Sequence, residues 1–193
     1  MTLLQIKNNF QKELSGLYPA EEINNFFYLL AEAYFQMKRV DIALNSEKKI
    51  SEQDQNKFFS ALSRLKNEEP VQYIIGVSYF YNLPFKVNKE VLIPRPETEE
   101  LVAWIIERSK IQKSKPKILD IGTGSGCIAV SLAKNLPDAE IWALDVSENA
   151  ISTAKENAKM NQADIHFIKA DILTIKNIEE KFNVIVSNPP YVR

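Results

Sequence analysis

The sequence predicts an α/β protein in which a parallel sheet follows a small helical region and a β-hairpin. Three observations lead to this prediction. Apolar residues recur at helical spacing over the first part of the chain, the period shortens between residues 77 and 91, and strand-like and helix-like segments alternate after residue 117. Such alternation is typical of a parallel sheet whose strands are joined by helices.

The N-terminal region has the apolar spacing of several short helices. Apolar side chains line one face of residues 3–14, and we expect Gly16 to cap the C-terminal end of that helix. Pro19 with two following acidic residues is typical of the start of a second helix, and Ser51 resembles the N-cap of another. The aromatic residues of this region are therefore expected to form a core.

The middle of the chain changes to the period of strands. Asn82, Leu83 and Pro84 lie between two segments rich in aromatic residues, which predicts a short hairpin. Residues 93–100 then bring two prolines and three acidic side chains to the start of a further helix. These changes predict a helical N-terminal domain over 1–75, a hairpin linker over 76–92 and a sheet domain over 93–193.

Four strands are predicted in the sheet domain, each of them apolar and bounded by polar or glycine residues. A helix after the first strand and another after Ser147 provide crossovers, and residues 178–181 form a short third crossover. The predicted strands cover residues 117–121, 140–145, 165–170 and 183–187.

Composition excludes several functional classes. With 24 basic and 25 acidic side chains among 193 residues, the chain lacks the excess of positive charge that non-specific nucleic-acid binding needs. One Cys and one His argue against a disulfide framework and against a metal site. The sequence has neither an apolar run of membrane-spanning length nor the charge order of a signal peptide, so we expect a cytoplasmic protein without a membrane partner.

Three of the five glycines fall in one short segment, Gly122-Thr123-Gly124-Ser125-Gly126, between a strand and a helix. Glycines at that place let backbone N–H groups approach a ligand closely. Asp145 ends the second strand, where a carboxylate can accept two ribose hydroxyls, and Asp171 follows the third, where it or its neighbours can meet a purine. Because the ends of parallel strands meet at one edge, these residues predict a single crevice.

A second motif, Ser187-Asn188-Pro189-Pro190-Tyr191, follows the fourth strand. Alone, Asn-Pro-Pro is compatible with a simple turn. At the end of a strand in a sheet of this kind, a role in the site is the better interpretation.

Together the glycine segment, Asp145, Asp171 and residues 188–191 resemble a class I S-adenosylmethionine-dependent methyltransferase. Residues 93–99, Ile-Pro-Arg-Pro-Glu-Thr-Glu, and residues 69–76, Glu-Pro-Val-Gln-Tyr-Ile-Ile-Gly, are similar to the HemK/PrmC family in particular. Members of that family are glutamine N5-methyltransferases of peptide-chain release factors. The helical region and the hairpin match the family layout as well, so the resemblance covers the whole chain.

The resemblance implies a Rossmann-like sheet, S-adenosylmethionine as cofactor and a release factor as the protein substrate, methylated on the Gln of its Gly-Gly-Gln motif. The helical domain would recognise that substrate. The site residues then fall into three groups. The cofactor would be held by Gly122, Thr123, Gly124, Ser125, Gly126, Asp145 and Asn188, with Asp171 or Ile172 beside the adenine; the glutamine by the catalytic residues Asn188, Pro189, Pro190 and Tyr191; and the glutamine pocket would be lined by Arg95 and Glu99.

The chemistry explains why these residue types suit the reaction. An amide nitrogen is a weak nucleophile because its lone pair is delocalised into the carbonyl. The Asn188 side-chain oxygen and the Pro189 carbonyl can each accept one amide N–H, and proline holds the backbone because its φ is locked. Tyr191 would pack against the amide plane. Such a site works by positioning and electrostatics, without metal or acid catalyst.

Three alternatives remain open on the sequence alone. The first is a glutamine methyltransferase acting on a ribosomal protein. The second is an adenine-N6 DNA methyltransferase, which also carries Asn-Pro-Pro-Tyr but needs a basic DNA-facing surface. The third is a binding module for release factors without activity, because four strands are fewer than the family's complete sheet and the chain is expected to be truncated at its C-terminal side. Residues 183–187 would then form an uncovered edge.

Overall fold

The structure, a computed structural model, describes residues 1–111 and 115–189, and for residues 110 and 111 it describes the backbone only. The chain divides into two compact units, Met1–Ile75 and Gly76–Arg193. No helix in the described ranges combines the length and the apolar character that crossing a membrane requires.

The first unit consists of helices. Thr2 begins α1 (Leu3–Leu14) with a capping box in which its hydroxyl accepts from the Gln5 N–H. The Ser51 hydroxyl caps α4 (Glu52–Lys66) by accepting from the Asp54 N–H. The expected cap at Gly16 is wrong: α1 ends at Ser15 in right-handed backbone, and Gly16 does not adopt a positive φ. The helices are α1 (Leu3–Leu14), α2 (Ala20–Phe35), α3 (Arg39–Leu44), α4 (Glu52–Lys66) and α5 (Val71–Ile75).

An aromatic cluster forms the centre of this unit. Phe10, Phe27 and Phe58 are fully buried, with ring centroids 5.6–6.1 Å apart. Tyr34 and Phe35 pack against Phe58 from the end of α2. Burial of each large apolar side chain stabilises a fold by about 1.5–3 kcal/mol. Packing of these faces, more than helix propensity, therefore holds the short helices together.

The second unit begins with a hairpin of β1 (Val77–Phe80) and β2 (Leu83–Lys86). Its turn lies at Tyr81 and Asn82, whose φ values are 49° and 60°, so the turn falls earlier than the expected 82–84. Two consecutive residues with positive φ give the strand-joining turn whose twist matches that of a hairpin. Phe80 and Phe85 are buried in the same core as the sheet.

The second unit also contains a four-stranded parallel sheet, whose strands lie in the order β5 (His166–Lys169), β4 (Glu140–Asp145), β3 (Lys117–Ile121) and β6 (Val184–Ser187). The first strand of the sheet lies inside it, with the chain proceeding to β4 and β5 on one side and to β6 on the other. The predicted fold class is therefore confirmed, although the crossover over 170–183, all of it described, contains no helix. The elements are α6 (Glu97–Ile111), β3 (Lys117–Ile121), α7 (Cys127–Asn135), β4 (Glu140–Asp145), α8 (Glu148–Met160), β5 (His166–Lys169) and β6 (Val184–Ser187).

The pairing register of the parallel strands determines where the site lies. Ile121 at the end of β3 pairs with Leu144 of β4 and with Ser187 of β6. The next residue of each chain segment is Gly122, Asp145 or Asn188. The glycine loop, the carboxylate and the amide that the sequence singled out therefore leave neighbouring strands at the same level of one sheet edge.

Candidate active site

The chain leaves β3 through the glycine loop, residues 122–126. The N–H groups of Gly122 and Thr123 both donate to the Leu144 carbonyl, at 2.8 and 3.0 Å. Gly122 and Gly124 have φ of +72° and +55°, and a Cβ built on either would meet no atom within 4 Å. The backbone thus adopts left-handed conformations that glycine reaches without strain, and the space beside it is open to a ligand.

Gly126 serves a different purpose. Its φ is +79°, and a Cβ there would lie 3.0 Å from the Ala154 Cβ and 3.3 Å from the Ala154 Cα of α8. The glycine therefore allows the start of α7 to pack closely against α8. We assign Gly126 to this packing, whereas Gly122 and Gly124 form the open part of the loop.

Asp145 closes the loop from the end of β4. One carboxylate oxygen accepts from the Gly124 N–H at 2.9 Å, and the other accepts from the Ser147 N–H at 3.0 Å. The side chain thereby ties the glycine loop to the start of α8. Each carboxylate oxygen still has a second lone pair, so two ribose hydroxyls can be accepted without breaking either bond.

Asp120 lies beneath the loop and was missed by the sequence analysis. It is 1 % exposed, and its Oδ2 accepts from the Thr123 hydroxyl at 2.7 Å. Its Oδ1 is buried and accepts no hydrogen bond of ordinary geometry within the described residues, although the Ala129 backbone N–H interacts with the carboxylate and lowers its pKa. Burial, with a smaller contribution from the charge of Asp145, raises the pKa of Asp120 to about 6. The signal in the sequence was an acidic residue inside an otherwise apolar strand.

A small cleft of about 50 Å³ opens beside the loop. Its walls come from the segment after the hairpin, from the loop and from the end of β6, so it brings Arg95, the glycine loop and Asn188 together. Asn188 Nδ2 donates to the Thr98 hydroxyl at 2.9 Å. The cleft suits a single functional group, because whole cofactors occupy pockets of about 300 Å³ or more.

Glu99 is not among the residues that line this cleft. Its carboxylate instead accepts from the Tyr81 N–H in the hairpin turn, at 2.7 Å. One residue along a helix rotates the side chain by about 100°, since a turn has 3.6 residues. Thr98 therefore faces Asn188, whereas Glu99 faces the hairpin.

Asp171 and Ile172 follow β5 at the same edge of the sheet. The Ala170 N–H donates to the Asp145 carbonyl at 3.1 Å, which brings this segment beside β4. The Asp171 carboxylate accepts from the Leu173 N–H in a local turn, whereas Ile172 is 40 % exposed. Their contact with an adenine stays a prediction.

Of the second motif, Asn188 and Pro189 are described and Pro190 and Tyr191 lie outside the described residues. Pro189 is exposed beside Asn188. The described residues contain no cluster of three or more His, Cys, Asp or Glu side chains able to hold a metal ion.

The residues at this edge fit a positively charged nucleoside. The open glycine loop leaves space for the ligand, Asp145 offers two acceptors, and the buried Asp120 carboxylate places negative charge beneath the loop above its pKa of about 6. A sulfonium and an ammonium group would be favoured by that charge, because opposite charges attract strongly where water is excluded.

Comparison with known proteins agrees with this interpretation. Residues 103–193 match the family model of the methyltransferase small domain, and residues 6–76 match that of the PrmC N-terminal domain. A SAM-dependent methyltransferase from Agrobacterium tumefaciens superposes with a TM-score of 0.50 at 22 % identity, over 59 % of this chain and 39 % of that one, which concerns the fold alone. The fold and the matching domain define a methyltransferase.

Two curated relatives identify the family. A release factor glutamine methyltransferase from Flavobacterium psychrophilum is 49 % identical over all of this chain and 68 % of its own length. One from Streptococcus pneumoniae is 39 % identical, over all of this chain and 67 % of its own. The chain belongs to the release factor glutamine methyltransferase family and spans about two thirds of the length of these relatives. The predicted family and cofactor are thus confirmed.

Proposed function

We propose that this chain carries the cofactor site and the glutamine site of an enzyme that methylates a peptide-chain release factor. The methyl group passes from S-adenosylmethionine to N5 of the glutamine in the Gly-Gly-Gln motif, and the methylated nitrogen, which is then acidic, loses one proton to solvent without a dedicated base. The observation that supports this most is the cleft in which Arg95, the glycine loop and Asn188 meet. It joins the cofactor edge of the sheet to an amide side chain able to bind another amide.

The cofactor supplies an electrophilic methyl group with a neutral thioether as leaving group. This chain would hold it through Gly122, Gly124 and the Asp145 carboxylate. Asp120 would add negative charge from below, and Asp171 or Ile172 would border the adenine. Since the leaving group needs no proton, the protein has no acid to provide, and its task is to bind and orient the two reactants.

Asn188 and Pro189 would orient the substrate glutamine. An amide nitrogen attacks only when its lone pair is turned out of conjugation, so both of its N–H groups need acceptors that keep it in place. The Asn188 side-chain oxygen and the Pro189 carbonyl are suited to this, and Pro190 and Tyr191 would complete the pocket. The bond from Asn188 Nδ2 to Thr98 orients the amide plane of Asn188 and favours its oxygen as the acceptor.

Arg95, which also lines the cleft, would contribute hydrogen-bond donors. Its guanidinium has five N–H donors and no acceptor, so it can bind carbonyl oxygens of the incoming Gly-Gly-Gln segment. Glu99 would act at a distance, by holding the hairpin through Tyr81.

The helical unit, residues 1–75, would recognise the body of the release factor, and residues 93–193 would carry the transfer. A substrate that works in translation implies a cytoplasmic enzyme. Neither a membrane nor a specific nucleic-acid sequence is needed in this proposal. A ribosomal-protein substrate, a DNA substrate and a purely binding role have no supporting observation of their own.

The proposal is tested with a chain extended to the length of its relatives. It is incubated with labelled S-adenosylmethionine and release factor, and the Gly-Gly-Gln peptide is analysed by mass spectrometry for one added methyl group. A release factor with Gly-Gly-Ala is the control, and a ribosomal protein and duplex DNA are the competing substrates. Methylation of either competitor in preference to the release factor contradicts the proposal.

Asn188→Ala in that extended chain is expected to lower turnover by about 10²–10³-fold, as for the loss of one positioned hydrogen-bonding group. Thr98→Val should lower turnover and Thr98→Ser should restore it, because serine keeps the hydroxyl. Cofactor affinity is the control measurement and should change little in all three. Equal losses of turnover and cofactor affinity would assign Asn188 to the cofactor alone.

A further inference from the structure

A buried amide on α8 joins the glycine loop to the hairpin. Asn157 has 0 % exposure. Its Nδ2 donates to the Ser125 carbonyl at 2.8 Å and to the Lys86 carbonyl at 3.0 Å, and its Oδ1 accepts from the Lys86 N–H at 2.7 Å. Both amide N–H groups and the oxygen are therefore used, and all three bonds go to backbone atoms of other elements.

The bond to Ser125 acts on the conformation of the glycine loop. The Ser125 carbonyl is held by Asn157, and the next N–H along the chain, that of Gly126, donates to the Thr123 carbonyl at 2.8 Å. The peptide plane between these two residues is thus fixed at both ends. Ala154, one turn earlier on α8, contacts Gly126, so the same helix face holds this half of the loop at two points.

The other half of the Asn157 amide holds the hairpin. Lys86 is the last residue of β2, and the turn of the same hairpin is held at its Tyr81 N–H by Glu99. Glu99 follows Thr98, which accepts from Asn188. A continuous series of hydrogen bonds and short chain segments therefore runs from Asn188 through the hairpin and Asn157 to the glycine loop.

We propose that Asn157 is a positioning residue that holds the glycine loop in the conformation required for cofactor binding. The inference rests on the proposed role of this loop in binding S-adenosylmethionine. A loop with three glycines has much conformational freedom to lose, and a ligand that must order the loop binds more weakly. Asn157 removes that cost before the cofactor arrives.

Asn161 provides a matched control. It lies one turn further along α8, and its Nδ2 donates to the Pro84 carbonyl of the hairpin at 2.9 Å and to the Asn157 carbonyl at 3.0 Å. It is buried too, yet none of these bonds reaches the glycine loop. Replacement of either asparagine removes a buried amide that holds the hairpin. Only the replacement of Asn157 also removes a bond to the glycine loop.

The test is calorimetric titration of the 193-residue chain with S-adenosylmethionine. Asn157→Ala is expected to weaken binding about tenfold, as for a buried hydrogen bond left unmade. Asn161→Ala should stay within about twofold of wild type, because its bonds reach neither the glycine loop nor the Asn157 side chain. We expect this even where both variants lower the melting temperature. Faster hydrogen exchange of the loop amides should accompany the Asn157 replacement only.

Asn157→Asp adds a readout that general destabilisation does not produce. A carboxylate cannot donate to the Ser125 carbonyl, but the protonated acid can, so the affinity of this variant relative to wild type should improve as the pH falls. Because aspartate has nearly the same shape as asparagine, this variant also tests the inference if Asn157→Ala does not fold. If Asn157→Ala binds S-adenosylmethionine with wild-type affinity, or if Asn161→Ala loses as much affinity as Asn157→Ala, the positioning role of Asn157 is wrong. Either result leaves the proposed cofactor site intact. Absence of binding by the wild type overturns the cofactor site on which the inference rests.

Discussion

At the scale of single residues, Asp120 makes stability depend on pH. Its pKa is raised from 3.8 to about 6, mainly by burial and to a smaller extent by the charge of Asp145, against the hydrogen bonds from the Thr123 hydroxyl and the Ala129 backbone N–H. Between these values the unfolded chain has lost the proton and the folded chain keeps it. The contribution of this group therefore falls as pH rises through that window, by about 3 kcal/mol, and is constant above it.

Asp120→Asn should remove this dependence. Its amide oxygen can still accept from the Thr123 hydroxyl, but the side chain no longer titrates. We expect the variant to gain stability relative to wild type as pH rises from 4 to 7, by up to about 3 kcal/mol. Urea unfolding followed by tryptophan fluorescence measures it, because both tryptophans, Trp104 and Trp142, belong to the second unit. A difference that is the same at all pH values would contradict the raised pKa of Asp120.

A second prediction at the scale of single residues is that the Asp145 carboxylate contributes to cofactor affinity. Asp145→Asn turns one acceptor oxygen into an NH2 group, which cannot accept from the loop or from a ribose hydroxyl. We expect binding of S-adenosylmethionine to weaken by about 1.5–3 kcal/mol, as for a lost charge-assisted bond. Asp138→Asn is the control in the same calorimetric titration, since Asp138 is exposed just before β4 begins. Unchanged affinity in the Asp145 variant would remove this carboxylate from the site.

At the scale of elements, β6 is an edge strand. It pairs with β3 on one side and is the last strand of the described sheet on the other. Ile185 is 62 % exposed, whereas its neighbour Val186 is buried. Unpaired backbone beside an exposed β-branched residue is a template for pairing with another strand.

Ile185→Lys should reduce self-association of the 193-residue chain, because a charge on an edge strand opposes pairing. Sedimentation velocity over a range of concentrations measures the effect. Tyr79→Lys is the control, since Tyr79 is 75 % exposed on the hairpin strand β1. Equal effects of the two substitutions would assign association to exposed apolar area in general.

At the scale of the whole molecule, the two units have separate cores. The first is built around Phe10, Phe27 and Phe58, and the second around apolar residues of the hairpin, the sheet and its helices. The cofactor residues of the proposal all lie in the second unit. The stability of the helical core and the affinity of the second unit for S-adenosylmethionine can therefore be changed separately.

Phe58→Ala should destabilise the helical unit by about 3–5 kcal/mol, because a large buried ring is replaced by a cavity. Circular dichroism should show the loss, while tryptophan fluorescence and the affinity for S-adenosylmethionine stay at wild-type values. A tenfold loss of affinity in this variant would contradict the separation of the two functions.

The sequence alone determined much of the architecture and the location of the site. Apolar periodicity and end signals such as Pro19 and Ser51 act within a few residues, so helices and strands could be recognised locally. Residues at the ends of parallel strands must meet at one edge, which is why Gly122, Asp145 and Asn188 could be grouped without coordinates. The resemblance carried by these motifs then predicted the family.

Tertiary structure alone decided which side chains act on the site and how. The bond between Asn188 and Thr98 joins residues 90 positions apart, and that between Asn157 and Ser125 joins residues 32 apart. Only packing distinguishes Gly126, which contacts α8, from the open Gly122. The raised pKa of Asp120 likewise follows only from the burial of its strand. Periodicity encodes which face of an element is apolar, whereas directional contacts of about 3 Å depend on how the faces are finally packed.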